Sequence, residues 1–84
     1  MPPKAAKLLA RMQRTQTGWR SHDLHTLYKG YGFIIRPGRS HDIVSHPEHS
    51  DLWQAIPRHA QALSPAYIRN AVKLVQMLLE RTEQ

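Results

Sequence analysis

The segment that ends at His41 combines residue types that can hold a phosphate and act on it. The sequence Arg36-Pro37-Gly38-Arg39-Ser40 precedes His41, so two arginines, a turn with free backbone N–H groups and a hydroxyl adjoin a histidine. These groups can together bind a phosphate. A neighbouring imidazole can take the proton from a ribose 2′-OH or protonate the leaving oxygen. The alternative interpretation is a surface histidine near a hairpin turn.

The other histidines are weaker candidates. His46 and His49 enclose Pro47-Glu48, and His22 and His25 lie about one helical turn apart. No HExxH or Cys/His spacing is present, so we expect no metal site and no cofactor. Aromatic rings that could stack on bases belong to Trp19, Trp53 and Tyr67, although in so short a chain we favour core positions for them.

The composition narrows the class of ligand. The chain has 84 residues, which predicts one small domain, and 12 Lys and Arg against 6 Asp and Glu give a net charge of +6. This balance favours nucleic acid, an anionic membrane surface or an acidic protein as ligand. Cysteine is absent, and the scattered acidic residues argue against a carboxylate-bound magnesium site. With no long apolar run and no signal peptide, we expect a cytoplasmic protein without a membrane segment.

The first third of the sequence predicts two helices. Residues 4–14 predict an amphipathic helix with a basic face, which serves either as a docking helix or as an RNA-backbone contact. A linker follows over residues 15–18. Ser21 is the predicted cap of a second helix, with Asp23 in its first turn and Gly30 and Gly32 as stop signals. We therefore divide the chain into an N-terminal helix and linker, residues 1–18, and a domain over residues 19–84.

The second half predicts three strands and a helix. The strands are 33–35, 40–45 and 52–56, with a type II turn at Pro37-Gly38, a polar loop over residues 47–51, and Pro57 ending the third strand. Ser64-Pro65 opens the last helix, whose apolar stripe should cover one face of the sheet. The predicted fold class is α+β, a three-stranded antiparallel sheet with helices on one face.

From Leu24 onward the sequence resembles the HicA family of toxin ribonucleases. The resemblance covers about two-thirds of the chain and is carried by the segments Gly32-Phe33, Arg36-Pro37-Gly38-Arg39-Ser40-His41, His46-Pro47, Trp53-Gln54-Ala55-Ile56-Pro57-Arg58-His59 and the helix after Ser64. It implies a fold like a double-stranded-RNA-binding domain, with the extra N-terminal helix outside it. It also implies an mRNA interferase that is inhibited by an antitoxin of the HicB type.

The resemblance assigns roles to particular residues. His41 aligns with the family's catalytic histidine, and His59 or His46 could supply a second proton-transfer group, with His59 preferred. The predicted RNA-binding residues are Arg36, Gly38, Arg39, Ser40 and Arg58. The sequence departs from the family at Arg39, where glycine is usual, and at Asp42, a carboxylate that could pair with His41 or repel a phosphate.

Three classes of function are therefore weighed. The first is a metal-independent toxin ribonuclease with RNA and an antitoxin as partners. The second is an RNA-binding module of the same fold without catalysis. The third is a protein whose main role is to bind another protein through its basic surface. The first is preferred because of the resemblance.

Overall fold

The computed structural model describes residues 4–58 and 62–82. The element order is α1 (Lys4–Arg14), α2 (Ser21–Gly30), β1 (Ile34–Arg36), β2 (His41–His46), β3 (His49–Pro57) and α3 (Pro65–Thr82). The strands form one antiparallel sheet in the order β1-β2-β3. The predicted α+β class is confirmed. The likeness to a double-stranded-RNA-binding domain stays a prediction.

Helix α1 packs through the predicted apolar stripe. Its buried residues are Ala5, Leu8, Leu9 and Met12, and the last three belong to the same core cluster as residues of the sheet and of α3. Gly30, the last residue of α2, lies against Ala5, because a Cβ at Gly30 would overlap the Ala5 methyl group. The two helices therefore approach closely where α2 ends.

Helix α2 begins differently from the prediction. Arg20, and not Ser21, is the N-cap residue. Its backbone N–H donates to Asp23 Oδ2 at 2.9 Å, which places the carboxylate in the first turn as predicted. The Ser21 hydroxyl instead donates to the Pro57 carbonyl at 2.6 Å. The cap prediction for Ser21 is therefore wrong, because this hydroxyl joins α2 to the end of β3.

The sheet buries one face and leaves the other open. Val44, Leu52 and Ile56 are fully buried against the helices, whereas Ile43 and Trp53 point to the opposite face and are exposed. The hairpin between β2 and β3 is shorter than predicted. β3 already begins at His49, so only Pro47 and Glu48 lie between the strands, and the predicted loop over residues 47–51 is wrong in extent.

The connection between β1 and β2 is not a type II turn. That turn requires a positive φ at Gly38, but among the described residues the glycines with positive φ are Gly18 and Gly32. Gly38 is needed for another reason. A Cβ at this position would collide with the His41 carbonyl oxygen, so glycine permits a close approach of two backbone segments.

Helix α3 begins as predicted and covers the sheet. The Ser64 hydroxyl oxygen accepts a hydrogen bond from the Ala66 N–H at 3.3 Å, and Pro65 is the first helical residue. The buried residues of α3 are Ile68, Ala71, Leu74, Val75 and Leu78. Among the described residues, no helix is long and apolar enough to cross a membrane.

Candidate active site

The turn before β2 and the residue after β3 form one exposed basic site. His41 is the first residue of β2 and lies opposite Pro57. Arg58 extends this pairing, because its backbone N–H donates to the Ser40 carbonyl at 2.9 Å. Its guanidinium Nη1 also donates to the Gly38 carbonyl at 2.6 Å. The structure thus brings together five predicted site residues, namely Gly38, Arg39, Ser40, His41 and Arg58.

Arg36 joins this site through the register of the sheet. It lies directly opposite Ile43, and residues directly opposite in a ladder share a face of the sheet. His41 is two residues from Ile43 on β2, so it lies on that same face. Arg36 and His41 are therefore diagonal neighbours, which are about 7–8 Å apart. Both side chains can reach one phosphodiester group across this distance.

Asp42 meets this basic site from the inner side of the sheet, through Arg58. Strand alternation turns it to the opposite side of β2 from His41, and it is 6% exposed. Its Oδ2 lies 3.2 Å from His25 Nε2, and its Oδ1 lies 3.3 Å from Arg58 Nε. The expectation that Asp42 pairs with His41 is therefore wrong, and its carboxylate faces His25 and Arg58 instead.

The surroundings of Asp42 explain why a carboxylate is tolerated there. Two groups that can be cationic approach it from α2 and from the end of β3, which offsets the cost of burying its charge. The contacts are within ion-pair distance but lack hydrogen-bond alignment. Among the described residues, Asp42 Oδ1 and His25 Nε2 have no hydrogen-bond partner. Both contacts are therefore electrostatic, without a directed hydrogen bond.

The second predicted catalytic histidine, His59, lies outside the described residues. His46 lies at the far end of β2, five residues and about 16 Å from His41. Its ring packs edge-on against Phe33 with centroids 5.1 Å apart, and its Nδ1 accepts a hydrogen bond from the Glu48 N–H. The position of His46 makes it unsuitable as a direct partner of His41 in proton transfer.

No cluster of metal ligands is formed within residues 4–58 and 62–82. In this part of the chain, no three His, Cys, Asp or Glu side chains come close enough to hold a metal ion. His49 is near Arg81, with 3.3 Å between His49 Nδ1 and Arg81 Nη1. Arg81 also donates two hydrogen bonds to the Asp51 carboxylate, which holds the pKa of Asp51 at about 2.

The aromatic candidates separate into core and surface. Trp19 is buried, its Nε1 donates to the Thr15 carbonyl at 2.9 Å, and the Arg11 guanidinium lies 5.1 Å from its ring centroid. Tyr67 is half-buried on α3. Trp53 is 55% exposed on the open face of the sheet, so the core interpretation holds for Trp19 and is wrong for Trp53.

Two features of the site could not be identified from the sequence. His25 carried no signal beyond its spacing from His22, and its approach to Asp42 depends on how α2 lies against β2. The exposure of Trp53 depends on the strand register, since a shift of one residue would bury its ring. Both features arise from tertiary structure.

Comparisons with known proteins identify no relative. No protein-family model matches the chain, and neither a curated protein nor a solved structure matches it significantly. The assignment of function therefore depends on the geometry of the site and on the motif resemblance.

Proposed function

We propose that this protein binds RNA and cleaves it without a metal ion, as a toxin ribonuclease of the HicA type. The observation that carries the proposal is the arrangement around His41. Its imidazole is exposed on the sheet face that carries Arg36, and the exposed residues Arg39 and Arg58 lie beside it along the backbone. The adjacent carboxylate of Asp42 is turned into the protein. A polyanion can therefore approach this histidine without meeting a neighbouring negative charge.

The residues of the site have distinct roles in this proposal. Arg39 and Ser40 contact the phosphate, and Arg36 binds the adjacent phosphate along the strand. His41 either accepts the proton of the ribose 2′-OH as that oxygen attacks the neighbouring phosphorus or donates a proton to the departing 5′-oxygen, and a second group or water carries out the other transfer. The 2′-oxygen forms a bond to phosphorus as the bond to the 5′-oxygen breaks. The products carry a 2′,3′-cyclic phosphate and a 5′-hydroxyl.

Arg58 holds the turn in place. It donates to the Gly38 carbonyl and approaches Asp42, so the same side chain connects the turn to the buried carboxylate. With 41% of its side chain exposed, Arg58 can also contact RNA. The rigid positioning of a phosphate-binding turn favours reaction because the reacting groups need little further ordering.

The proposed cellular role includes an inhibitor. A small basic ribonuclease that degrades mRNA would be lethal unless an antitoxin covers its site. An acidic protein of the HicB type would associate rapidly with a chain of net charge +6, and the rate would fall as salt rises.

The test is a His41→Ala variant compared with His22→Ala. His22 is a matched control, because its side chain is 77% exposed and its contact is with the adjacent Asp23. We expect His41→Ala to fold and to bind RNA, and to lose about 10²- to 10⁴-fold in cleavage rate. His22→Ala should cleave normally, and EDTA should have no effect on either protein.

The products and the control decide between the classes of function. Equal cleavage by parent and His41→Ala would refute the proposed role of His41. RNA binding by the parent without any cleavage would favour the non-catalytic RNA-binding module. Loss of cleavage in EDTA would refute the metal-independent mechanism.

A further inference from the structure

The open face of the sheet carries three exposed apolar side chains. Ile34, Ile43 and Trp53 are 41%, 36% and 55% exposed. Ile34 and Trp53 both lie opposite Ser45, from the two sides of β2. They therefore form a row across the sheet, and Ile43 lies in the adjacent row with Arg36. No helix covers this face within the described chain.

Trp53 also borders a groove between β3 and the first turns of α3. The groove has a volume of about 640 Å³ and is lined by Trp53, Gln54, Ala55, Ala66, Tyr67 and Asn70. Its walls include the aromatic side chains of Trp53 and Tyr67, and Asn70 contributes an exposed amide. Gln54 is committed elsewhere, because its Oε1 accepts from the Tyr28 hydroxyl and its Nε2 donates to the Tyr67 carbonyl. These lining residues suit a planar ligand with polar edges, since a ring can stack on an aromatic side chain and the amide of Asn70 can form a hydrogen bond.

The charge around this face favours a polyanion. No acidic residue is found among those that line the groove. The nearest acid on the same strand, Asp51, is engaged by two hydrogen bonds from Arg81 at 2.9 and 2.6 Å. Arg36 lies on the same face, and the net charge of the chain is +6.

The position of Trp53 relative to His41 suits one continuous strand of RNA. Trp53 pairs with Ser45, which lies four residues from His41 along β2. The two sites are therefore separated by about 13 Å along the sheet. An extended nucleic acid strand can span this distance past Ile43 on β2, and Arg36 on β1 lies to the side, opposite Ile43.

The apolar row is discontinuous, which suits a single base better than an obligate protein interface. Such protein interfaces are large and apolar, like a domain core cut in half, whereas here Ser45 separates Ile34 from Trp53. A base needs only one exposed ring for stacking, and such stacking tolerates any base.

We propose that an unpaired nucleobase stacks on Trp53 at this groove, with the Asn70 amide at its edge. The phosphates of the same strand run across the open face toward Arg36 and His41. This inference rests on the proposed function and specifies its substrate as single-stranded RNA. Bases within a duplex are stacked on one another, so their faces are not available to Trp53.

Two substitutions of equal apolar character test the stacking site. Trp53→Leu removes the aromatic ring, whereas Trp53→Phe keeps one. The ligands are a short unstructured 2′-O-methyl oligoribonucleotide, which lacks the attacking hydroxyl, and a duplex of the same composition. We expect Trp53→Leu to weaken single-strand binding by roughly 5- to 150-fold, which corresponds to one base stack. Trp53→Phe should bind nearly as the parent does, and duplex binding should not change. Circular dichroism and thermal unfolding would show that both variants fold.

The outcomes separate this inference from the proposed function. If Trp53→Leu binds the oligonucleotide as tightly as the parent, the stacking site is refuted, while cleavage dependent on His41 remains intact. If the parent binds no RNA, both proposals fail. If the parent protein is a dimer, and the Trp53→Leu variant is a monomer with unchanged RNA affinity, then the open face of the sheet binds a second copy of the chain. That result would overturn the inference.

Discussion

A substitution at Gly38 would test whether the geometry of the turn controls the chemistry. A Cβ at this position would lie well inside 3.0 Å of the His41 carbonyl oxygen, whereas ordinary contacts begin at 3.4 Å. The atom it meets belongs to the backbone, so no side-chain rotation relieves the collision. Gly38→Ala must therefore displace the turn that carries Arg39 and Ser40, or the start of β2 at His41.

The size of the effect follows from this displacement. Restoring ordinary contact requires a movement of roughly 1 Å, and misplacement of this size at a reacting group can lower the rate about 10²-fold. The expected loss of stability is smaller. Overpacking costs about 1–3 kcal/mol, and the more restricted unfolded chain offsets about 0.4–1 kcal/mol of it.

Gly18→Ala is the matched control. Gly18 has φ of 81°, and a Cβ there would meet nothing within 4 Å. Its substitution should cost about 1–2 kcal/mol from the left-handed backbone alone. We therefore expect similar unfolding free energies for the two variants in urea, but a loss of RNA cleavage only in Gly38→Ala. If the Gly38→Ala variant is fully folded and cleaves RNA at the normal rate, the geometry of the turn does not set the cleavage rate.

Two further predictions concern stability and titration. Tyr28→Phe should lower the free energy of unfolding by about 1–3 kcal/mol. The buried Tyr28 hydroxyl donates to Gln54 Oε1 at 2.5 Å, and its loss leaves that oxygen unpaired. An unchanged urea midpoint would contradict this prediction. Asp51 should titrate near pH 2 in NMR, since Arg81 lowers its pKa from 3.8, and Arg81→Gln should return the pKa toward 3.8. The Asp51–Arg81 pair stabilises the fold above about pH 4, and this contribution should be lost as the pH falls toward 2. If the pKa of Asp51 is the same in Arg81→Gln as in the parent, Arg81 is not the cause of the lowered pKa.

The helices were the most predictable part of the fold, because their periodic apolar residues act locally, although the N-cap of α2 is Arg20 and not Ser21. Residues 4–14 and the helix after Ser64-Pro65 appear as predicted. The connections were less predictable. The sequence Pro37-Gly38 suits a type II turn, but the approach of the His41 carbonyl requires glycine without a positive φ. Local composition cannot show that approach, since it depends on where the two strands pair.

The basic character of the site was predictable from the sequence, but the contacts that Arg58 and His25 make behind it were not. Arg39, Ser40 and His41 are contiguous, so their proximity follows from the chain itself. Arg58 comes from the end of β3 and reaches Gly38 only because β2 and β3 pair antiparallel. His25 comes from α2, and its contact with Asp42 depends on the packing of that helix.

Strand alternation links the fold to the proposed chemistry. His41 and Asp42 are adjacent, so one side chain points outward and the other inward. The observed register exposes the imidazole to the arginines and places the carboxylate between Arg58 and His25. A register shifted by one residue would bury His41 and direct a negative charge toward an incoming phosphate. The residues that fix the register, Val44, Leu52 and Ile56 in the core, therefore determine the sign of the charge that RNA would meet. The apolar core thus sets the electrostatics of the proposed active site through the strand register.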